Sequence, residues 1–250
     1  MAEEGGVPAG RVAELWRYPV KSIGGERVSA LACGRHGVVG DRLLAVRGRD
    51  GKIGSGKTTQ RFRRMPGLFS ITASTDGDGA VWLRFPSGER LRAEDPETPA
   101  RVGAIVGESV TLALEDGVSH LDDSPLHLLT RASLRWLAGR VPDQLEVRRF
   151  RPNVVVETFE GPRASSSEGG SLSRPEDAWV GHALQIGSVV VRVAKPTERC
   201  VMVTLPQPGI HFAPQVLREL ETAVEGRLGV YADVITEGDI GVGDEVVRVD

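Results

Sequence analysis

The stretch Ile186-Gly-Ser-Val-Val-Val-Arg-Val-Ala-Lys-Pro-Thr-Glu-Arg-Cys200 joins an apolar run to a polar loop that ends in a cysteine. Its four valines are β-branched, which predicts a strand. Pro196 cannot donate a ladder hydrogen bond, so we expect the strand to end near it. The cation of Arg199 favours the thiolate of Cys200, which is both the nucleophile and the soft metal ligand. A buried, inert cysteine is the alternative, and this stretch alone does not decide between the two.

Composition narrows the class of protein. The chain has 250 residues, of which 40% are hydrophobic and 26% charged, as in soluble globular proteins. Its 31 glycines and 15 prolines favour turn-rich β structure, and a net charge of −3 argues against bulk nucleic-acid binding. Cys33 and Cys200 make no disulfide framework. Because the first residues do not read as a signal peptide and no apolar run is long enough to span a membrane, we expect a cytoplasmic protein.

Short apolar runs between turn residues predict strands along most of the chain, with two helices. The first helix is predicted over 125–139, with Ser124 as its cap and Pro125 in its first turn. The second is predicted over 214–226. Residues 93–100 and 160–175 are rich in Pro, acidic residues, Ser or Gly, and are predicted to be loops.

Nucleotide binding is suggested by a formal Walker A match, Gly51-Lys-Ile-Gly-Ser-Gly-Lys57-Thr58. Such a loop needs a buried strand before it and a helix after it, so that backbone amides face the phosphates. Here polar residues 47–50 precede the motif, and only about two helical turns could follow before Pro66. No alternation of strands and long helices follows either. We therefore predict a glycine-rich hairpin tip in which Lys57 is replaceable.

Positive charge is concentrated in two stretches. Residues 41–64 contain eight Lys and Arg against two Asp, and three arginines lie within 148–151, just before the apolar run 154–156. A solvated face is one interpretation, and a site for a small anion such as a phosphate is the other. Arginines next to a buried strand are costly unless they have partners. The histidines show no zinc-ligand spacing with either cysteine, and no hydrolase signature is present.

Four segments in order resemble the MOSC family, which includes the C-terminal domain of molybdenum-cofactor sulfurase and the mitochondrial amidoxime-reducing component. They are Leu15-Trp-Arg-Tyr-Pro-Val-Lys-Ser22, Asp123-Ser-Pro-Leu-His-Leu-Leu-Thr130, Phe150-Arg-Pro-Asn153 and Arg199-Cys200, and the closing segment 238–244 fits as well. The resemblance implies a mostly β fold with a few helices (α+β). It places a β-rich N-terminal domain over 1–92 and a MOSC β-barrel over 93–250.

The same resemblance implies a molybdopterin-type molybdenum cofactor. Its terminal phosphate suits Lys and Arg, and its pterin edge suits amides and hydroxyls. Cys200 matches the cysteine that ligates molybdenum, and would be the catalytic residue. Relatives read Thr-Ala-Arg-Gln where this chain has Thr59-Gln60-Arg61, and they carry Ser where Glu198 stands. The residues expected to line the cofactor are Lys21, Ser22, Arg61, Ser124, Arg151, Asn153 and Arg199.

The function that the resemblance implies is reduction of small N-hydroxylated or N-oxide substrates by two-electron oxygen transfer at molybdenum. We expect the electrons to arrive from a separate donor protein of the reductase, ferredoxin or cytochrome type, and we expect no nucleic-acid or membrane partner. One alternative is sulfur transfer, with a persulfide on Cys200. Another is a cofactor carrier without catalysis, or an enzyme that uses the fold for other sulfur chemistry, because a fold does not fix a function.

Overall fold

A computed structural model describes residues 6–116, 119–142, 145–159 and 174–249. The loop predicted over 160–175 lies, up to residue 173, outside the described residues. The described part contains eighteen strands and three α-helices, which confirms the mostly β prediction. The strands are β1 Val7–Arg17, β2 Glu26–Val28, β3 Ala30–Gly34, β4 Gly37–Val38, β5 Leu44–Gly48, β6 Ile53–Ser55, β7 Phe62–Arg64, β8 Thr72–Thr75, β9 Val81–Arg84, β10 Arg90–Arg92, β11 Val110–Leu114, β12 Leu126–Thr130, β13 Val154–Thr158, β14 Ala183–Ile186, β15 Val189–Glu198, β16 Arg227–Thr236, β17 Gly238–Gly241 and β18 Glu245–Arg248. The helices are α1 Thr98–Val106, α2 Arg131–Ala138 and α3 Pro214–Val224.

Seven strands close into a barrel in the order β13, β12, β16, β15, β14, β18 and β1, and β1 pairs back with β13. The pair β12–β13 is parallel, and the other pairs of the barrel are antiparallel. Side chains alternate along β15, so Val189, Val191 and Val193 all point into the barrel, where they are buried. Irregular pairing on both sides of Pro196 lets β15 continue to Glu198. Arg199 and Cys200, which follow Glu198 directly, therefore lie at one end of the barrel.

Three smaller sheets complete the fold. One contains β17, β3 and β4, and its Cys33 is buried in the barrel core. Another contains β11, β5, β6 and β7 and the last contains β10, β9 and β8, and these two share a second core. Val46, Leu68, Leu83 and Val102 meet in this second core. The division of the chain at residue 92 stays a prediction. No helix in the described residues is long and apolar enough to cross a membrane.

The helix predicted over 125–139 is wrong in its first half. Residues 126–130 form β12, and α2 begins only at Arg131. All five residues of β12 are buried, because the strand has neighbours on both edges and is covered on both faces. Such a strand is continuously apolar, which from sequence alone looks like a buried helix. The cap is consequently Thr130, whose Oγ1 accepts a hydrogen bond from the Ser133 amide at 3.1 Å, and not Ser124.

The segment 93–100, predicted as a loop, leads into helix α1 instead. Pro99 stands in the first turn, where its missing N–H costs nothing, and Gly107 ends the helix in the left-handed conformation at φ 80°. Val102 is fully buried against the second core. The helix at 214–226 was predicted correctly, since α3 covers Pro214–Val224.

The Walker A match does not form a P-loop. Residues Ile53–Ser55 inside it are a strand that pairs with β5 and β7, and the residues that follow are not helical. Gly51 lies in the turn of the β5–β6 hairpin at φ 74°, as predicted. Lys57 does not belong to that hairpin tip, however. It lies beyond β6, on the wall of a pocket, so its placement was wrong.

Candidate functional site: a cationic pocket beside Cys200

A pocket of about 400 Å³ lies where one end of the barrel meets the segment between β6 and β7. Residues in or next to strands β12, β13, β15 and β16 supply the barrel side of the wall. Six of the residues predicted from sequence line it, although they come from distant parts of the chain. They are Arg61, Ser124, Arg151, Asn153, Arg199 and Cys200.

Arg151 and Arg199 are held by backbone carbonyls. Arg151 Nη1 donates to Ile23 O at 2.6 Å, and Arg199 Nη2 donates to Phe150 O at 2.7 Å. Burial, reinforced by the neighbouring charge of Arg42, lowers the pKa of Arg151 to about 10. Burial also lowers the pKa of Arg199. Both side chains remain cations at neutral pH, and neither has a carboxylate within ion-pairing distance among the described residues.

Tyr18 supports two of the cations with its ring. The guanidinium carbons of Arg151 and Arg42 lie 4.2 and 5.0 Å from the ring centroid. Arg42 also forms an ion pair with Asp41 and donates to Arg151 O at 3.4 Å. Burial opposes the charge of Arg42, but Asp41 outweighs it and raises the pKa. Sequence reasoning missed Arg42 as a pocket residue, because it was only one of many cations in the basic stretch.

Lys21 and Ser22 lie behind the pocket wall. The Lys21 ammonium is 2.9 Å from Asp122, which lines the pocket, and 5.3 Å from the Phe62 ring centroid. Burial lowers the pKa of Lys21 to about 8, against the opposing effect of Asp122. Burial would raise the pKa of Asp122, but Lys21 outweighs it and lowers that pKa to about 2. Ser22 is fully buried, and its Oγ has no hydrogen-bond partner among the described residues.

The two cysteines lie in opposite environments. Cys33 is in the barrel core, where burial raises its pKa to about 12, so its thiol stays protonated. Cys200 is partly exposed on the pocket wall, at the start of a short 3-10 turn over Val201–Thr204. Arg199 directly precedes it. The pocket therefore offers one accessible thiol next to a cation, as a reactive or metal-ligating cysteine requires.

His127 stands between the two arginines. Its Nε2 is 3.4 Å from Arg199 Nη1, and its Nδ1 is 3.4 Å from Arg151 O. Burial and then the charge of Arg199 hold its pKa well below the ordinary value, so the imidazole is neutral at neutral pH. Gly229 faces it at φ 80°, and a Cβ there would lie 2.5 Å from Nε2. The interpretation of His127 as a core histidine agrees with its burial, although the residue also forms part of the pocket wall.

Three predicted cofactor contacts also hold the wall together. Asn153 accepts from the His127 amide at 3.2 Å and donates to Trp16 O at 3.3 Å, so it ties β12 to β1. Ser124 Oγ donates to Asp233 at 2.7 Å. Arg61 donates to Leu121 O and lies over the Phe62 ring at 4.5 Å. These bonds orient the side chains and leave further polar atoms of the amide and the guanidinium for a ligand.

The pocket fits an anionic cofactor with many hydrogen-bond acceptors. Arg61 Nε, Arg151 Nη2 and Arg199 Nε are buried and have no hydrogen-bond partner among the described residues. Buried donors are almost always satisfied, so donors left over on one pocket indicate a missing acceptor. Phosphate oxygens are suitable acceptors, because their bonds to guanidinium groups are charge-assisted.

Backbone strain is concentrated at the same place. Among the described residues, four that are not glycine have positive φ, and three of them are Ser22 at 63°, Arg42 at 51° and Arg151 at 52°. Each such conformation costs of order 1 kcal/mol, and it persists only where the surroundings enforce it. Their clustering around one pocket is typical of a functional site.

Two family models cover nearly the whole chain. The MOSC domain matches residues 115–247, and the MOSC N-terminal beta barrel domain matches residues 9–118. The chain therefore belongs to the MOSC domain family, as the sequence motifs indicated.

Relatives and solved structures agree with this assignment. Mitochondrial amidoxime reducing component 2 of Macaca fascicularis and that of Homo sapiens are each 27% identical over 96% of this chain and 84% of their own length. Mitochondrial amidoxime-reducing component 1 of Mus musculus is 25% identical over 95% of this chain and 82% of its own. The crystal structure of the YUAD protein from Bacillus subtilis shares the fold at a TM-score of 0.50 and 13% identity, over 97% of both chains.

Proposed function

We propose that this protein is a molybdenum-cofactor-dependent reductase of N-hydroxylated or N-oxide compounds, with the cofactor in the cationic pocket and Cys200 as the metal ligand. The observation that carries the proposal is the convergence of unneutralised arginines and one accessible thiol on a single pocket. The names of the relatives, which are amidoxime-reducing components, give the reaction class.

The net reaction consumes two electrons and two protons for each N–O bond broken, and it releases the amine or amidine and one water. The bound cofactor would supply the oxygen-atom transfer at molybdenum and the path for the electrons. A separate electron-donor protein of the reductase, ferredoxin or cytochrome type would deliver them one after another. The substrate is a small molecule that reaches the pocket mouth beside Cys200.

The chain's own residues would bind and orient the cofactor. Arg151 and Arg199 would hold the phosphate, because their backbone contacts fix the guanidinium planes without neutralising them. Asn153, Ser124 and Arg61 would contact the pterin edge, and Ser22 would offer its free hydroxyl from behind the wall. Lys21 would add positive potential through the wall. Cys200 would present a soft thiolate, which suits molybdenum.

Metal analysis of freshly purified protein tests the proposal first. We expect near-stoichiometric molybdenum with an extractable pterin, and reduction of a model amidoxime with an artificial electron donor. Cys200→Ser should keep part of the cofactor through the arginines, while turnover falls to near background, because a hard hydroxyl is a poor ligand. Cys33→Ala is the matched control, since that thiol lies in the barrel core, and it should keep both metal and turnover.

Measurements on the same purified protein distinguish the reductase function from sulfur transfer. A protein that arrives without metal, cannot be loaded, and releases sulfur from Cys200 with cyanide would be a persulfide carrier, and the reductase proposal would be wrong. A protein that holds molybdenum stoichiometrically but reduces no N–O substrate would be a cofactor carrier.

A further inference from the structure

The pocket mouth carries one carboxylate with no partner. Glu198 is the last residue of β15, it lines the pocket together with Cys200, and its side chain is exposed. Its carboxylate forms neither a hydrogen bond nor an ion pair with the other described residues. An exposed glutamate at a random surface position needs no explanation, but this one stands on the wall of the candidate site.

The other carboxylates of the wall are occupied. Asp122 is 2.9 Å from the Lys21 ammonium, and Asp123 is 2.5 Å from the Lys195 ammonium. Arg227, which lies opposite Glu198 in the β15–β16 register, is engaged with Glu225 at 3.0 Å. No neighbouring cation among the described residues therefore forms an ion pair with Glu198.

This carboxylate lies close to the thiol along the chain. Glu198 ends β15, Cys200 follows two residues later, and both line the same pocket. Arg151 and Arg199 line the same pocket, but each guanidinium is already held by a backbone carbonyl. A substrate that brings its N–O group to Cys200 would place the adjoining part of the molecule against Glu198.

We propose that Glu198 is a specificity-determining residue that selects N-hydroxylated substrates carrying a positively charged substituent on the part of the molecule that adjoins the reducible N–O group. N-hydroxyguanidines and amidoximes with a cationic substituent have this chemistry. The inference rests on the proposed reductase function, because it assigns the substrate class of that same pocket. Glu198 acts on binding, so its charge should affect KM and leave kcat unchanged.

The test uses three benzamidoximes that differ only at the para position: a trimethylammonium probe, its neutral tert-butyl isostere and a carboxylate probe. The cofactor-loaded protein should show the lowest KM for the cation and the highest for the anion. In Glu198→Gln, we expect the KM of the cationic probe to rise about three- to fivefold, the range of one exposed charge pair, with the isostere unchanged. Glu198→Asp should restore most of the preference.

Two further readouts keep substrate binding separate from turnover. Calorimetry with the amidine product of the trimethylammonium probe should show weaker binding to Glu198→Gln at unchanged molybdenum content. The KM of the cationic probe should rise with salt in the wild type and lose that dependence in the variant. Glu237→Gln, at an exposed glutamate that pairs with Arg35 outside the pocket lining, is the control and should change nothing.

The outcomes distinguish the two proposals. If the loaded wild type reduces the neutral probe but Glu198→Gln keeps the full preference for the cation, the assignment of Glu198 is wrong and the reductase function stands. If the loaded wild type reduces none of the probes, the reductase function fails, and the assignment of Glu198 fails with it.

Discussion

Two pairs of cations at the pocket are held in different ways. Lys21 and Arg42 each meet a carboxylate, Asp122 and Asp41 respectively. Arg151 and Arg199 each meet a backbone carbonyl instead. We call the first pair the ion-paired cations and the second pair the carbonyl-anchored cations.

The difference separates the cations that hold the framework from those available to a ligand. A carbonyl oxygen accepts a hydrogen bond but carries no net charge, so it orients a guanidinium without neutralising it. Burying such a cation costs free energy, and an anion that binds there recovers part of that cost. The pKa values of Arg42 and Arg151 follow the same division, because Asp41 raises that of Arg42 whereas burial lowers that of Arg151 to about 10. Lys21 does not follow it, since burial outweighs Asp122 and lowers its pKa to about 8.

The largest effect on cofactor binding is expected when a carbonyl-anchored cation is removed. Arg151→Met should weaken cofactor binding by about 1.5–3 kcal/mol, roughly ten- to hundredfold, because it removes charge-assisted hydrogen bonds. Its effect on the cofactor-free protein should be less than about 1 kcal/mol, since removing a buried charge offsets the lost bond to Ile23. Molybdenum content after gel filtration and urea unfolding measure the two quantities.

Arg148→Met is the control for that experiment, because Arg148 donates to Pro208 O outside the pocket. It should keep the cofactor. If Arg151→Met also kept its cofactor while Lys21→Met lost it, the division between the two pairs would be reversed.

The next-largest effect is expected where the segment after β6 packs against the turn that follows Cys200. Gly56 follows β6, and a Cβ there would lie 2.4 Å from Leu205 and 3.2 Å from Met202, in the turn region that follows Cys200. Gly56→Ala should therefore destabilise the protein by about 1–3 kcal/mol through overpacking, and it should lower molybdenum content by displacing that turn. Gly77→Ala is the control, because nothing lies within 4 Å of its added Cβ. Equal stability of the two variants would show that the segment after β6 and the turn that follows Cys200 are not coupled at Gly56.

Among the four cations, Lys21 should make the stability of the protein depend on pH between about 8 and 10. Lys21 has a pKa of about 8 in the fold, against 10.5 for an ordinary lysine. Between these values the unfolded chain binds more protons, so the free energy of unfolding should rise with pH by up to about 1.4 kcal/mol per unit. Below pH 8 both states are protonated and the contribution is flat. Urea unfolding of cofactor-free protein from pH 7 to 10, compared with Lys21→Met, isolates the contribution of Lys21. Parallel curves would contradict it.

The smallest effect is expected at Lys57. Its ammonium lies 5.2 Å from the Phe62 ring centroid, and no carboxylate in the described residues pairs with it. Lys57→Ala should leave folding unchanged and weaken cofactor binding by less than about 1 kcal/mol, the range of an exposed cation–π contact. Titration with ATP and magnesium should show no binding to either protein. Tight binding that vanished in the variant would restore the nucleotide hypothesis.

Strands and helices were predictable from sequence where the hydrophobic pattern of the segment fits only one kind of secondary structure. The β-branched run of β15 and the amphipathic helix α3 are specified by residues close together in sequence. Residues 126–130 were not, because a short leucine-rich run that is buried throughout fits a helix as well as a strand with neighbours on both edges. The helix α1 was missed because Pro and acidic residues at its start resemble a loop, although Pro99 suits a first helical turn.

The sequence by itself determined the mostly β fold, the family motifs and six of the residues that line the pocket, because these depend on residue type and local order. Only the tertiary structure decided which cations are neutralised. The partner of Lys21 is a hundred residues away, and the carbonyls that anchor Arg151 and Arg199 belong to Ile23 and Phe150. Local sequence specifies that a side chain is charged, but the packing of distant strands specifies its counterion, and therefore whether that charge remains available to a ligand.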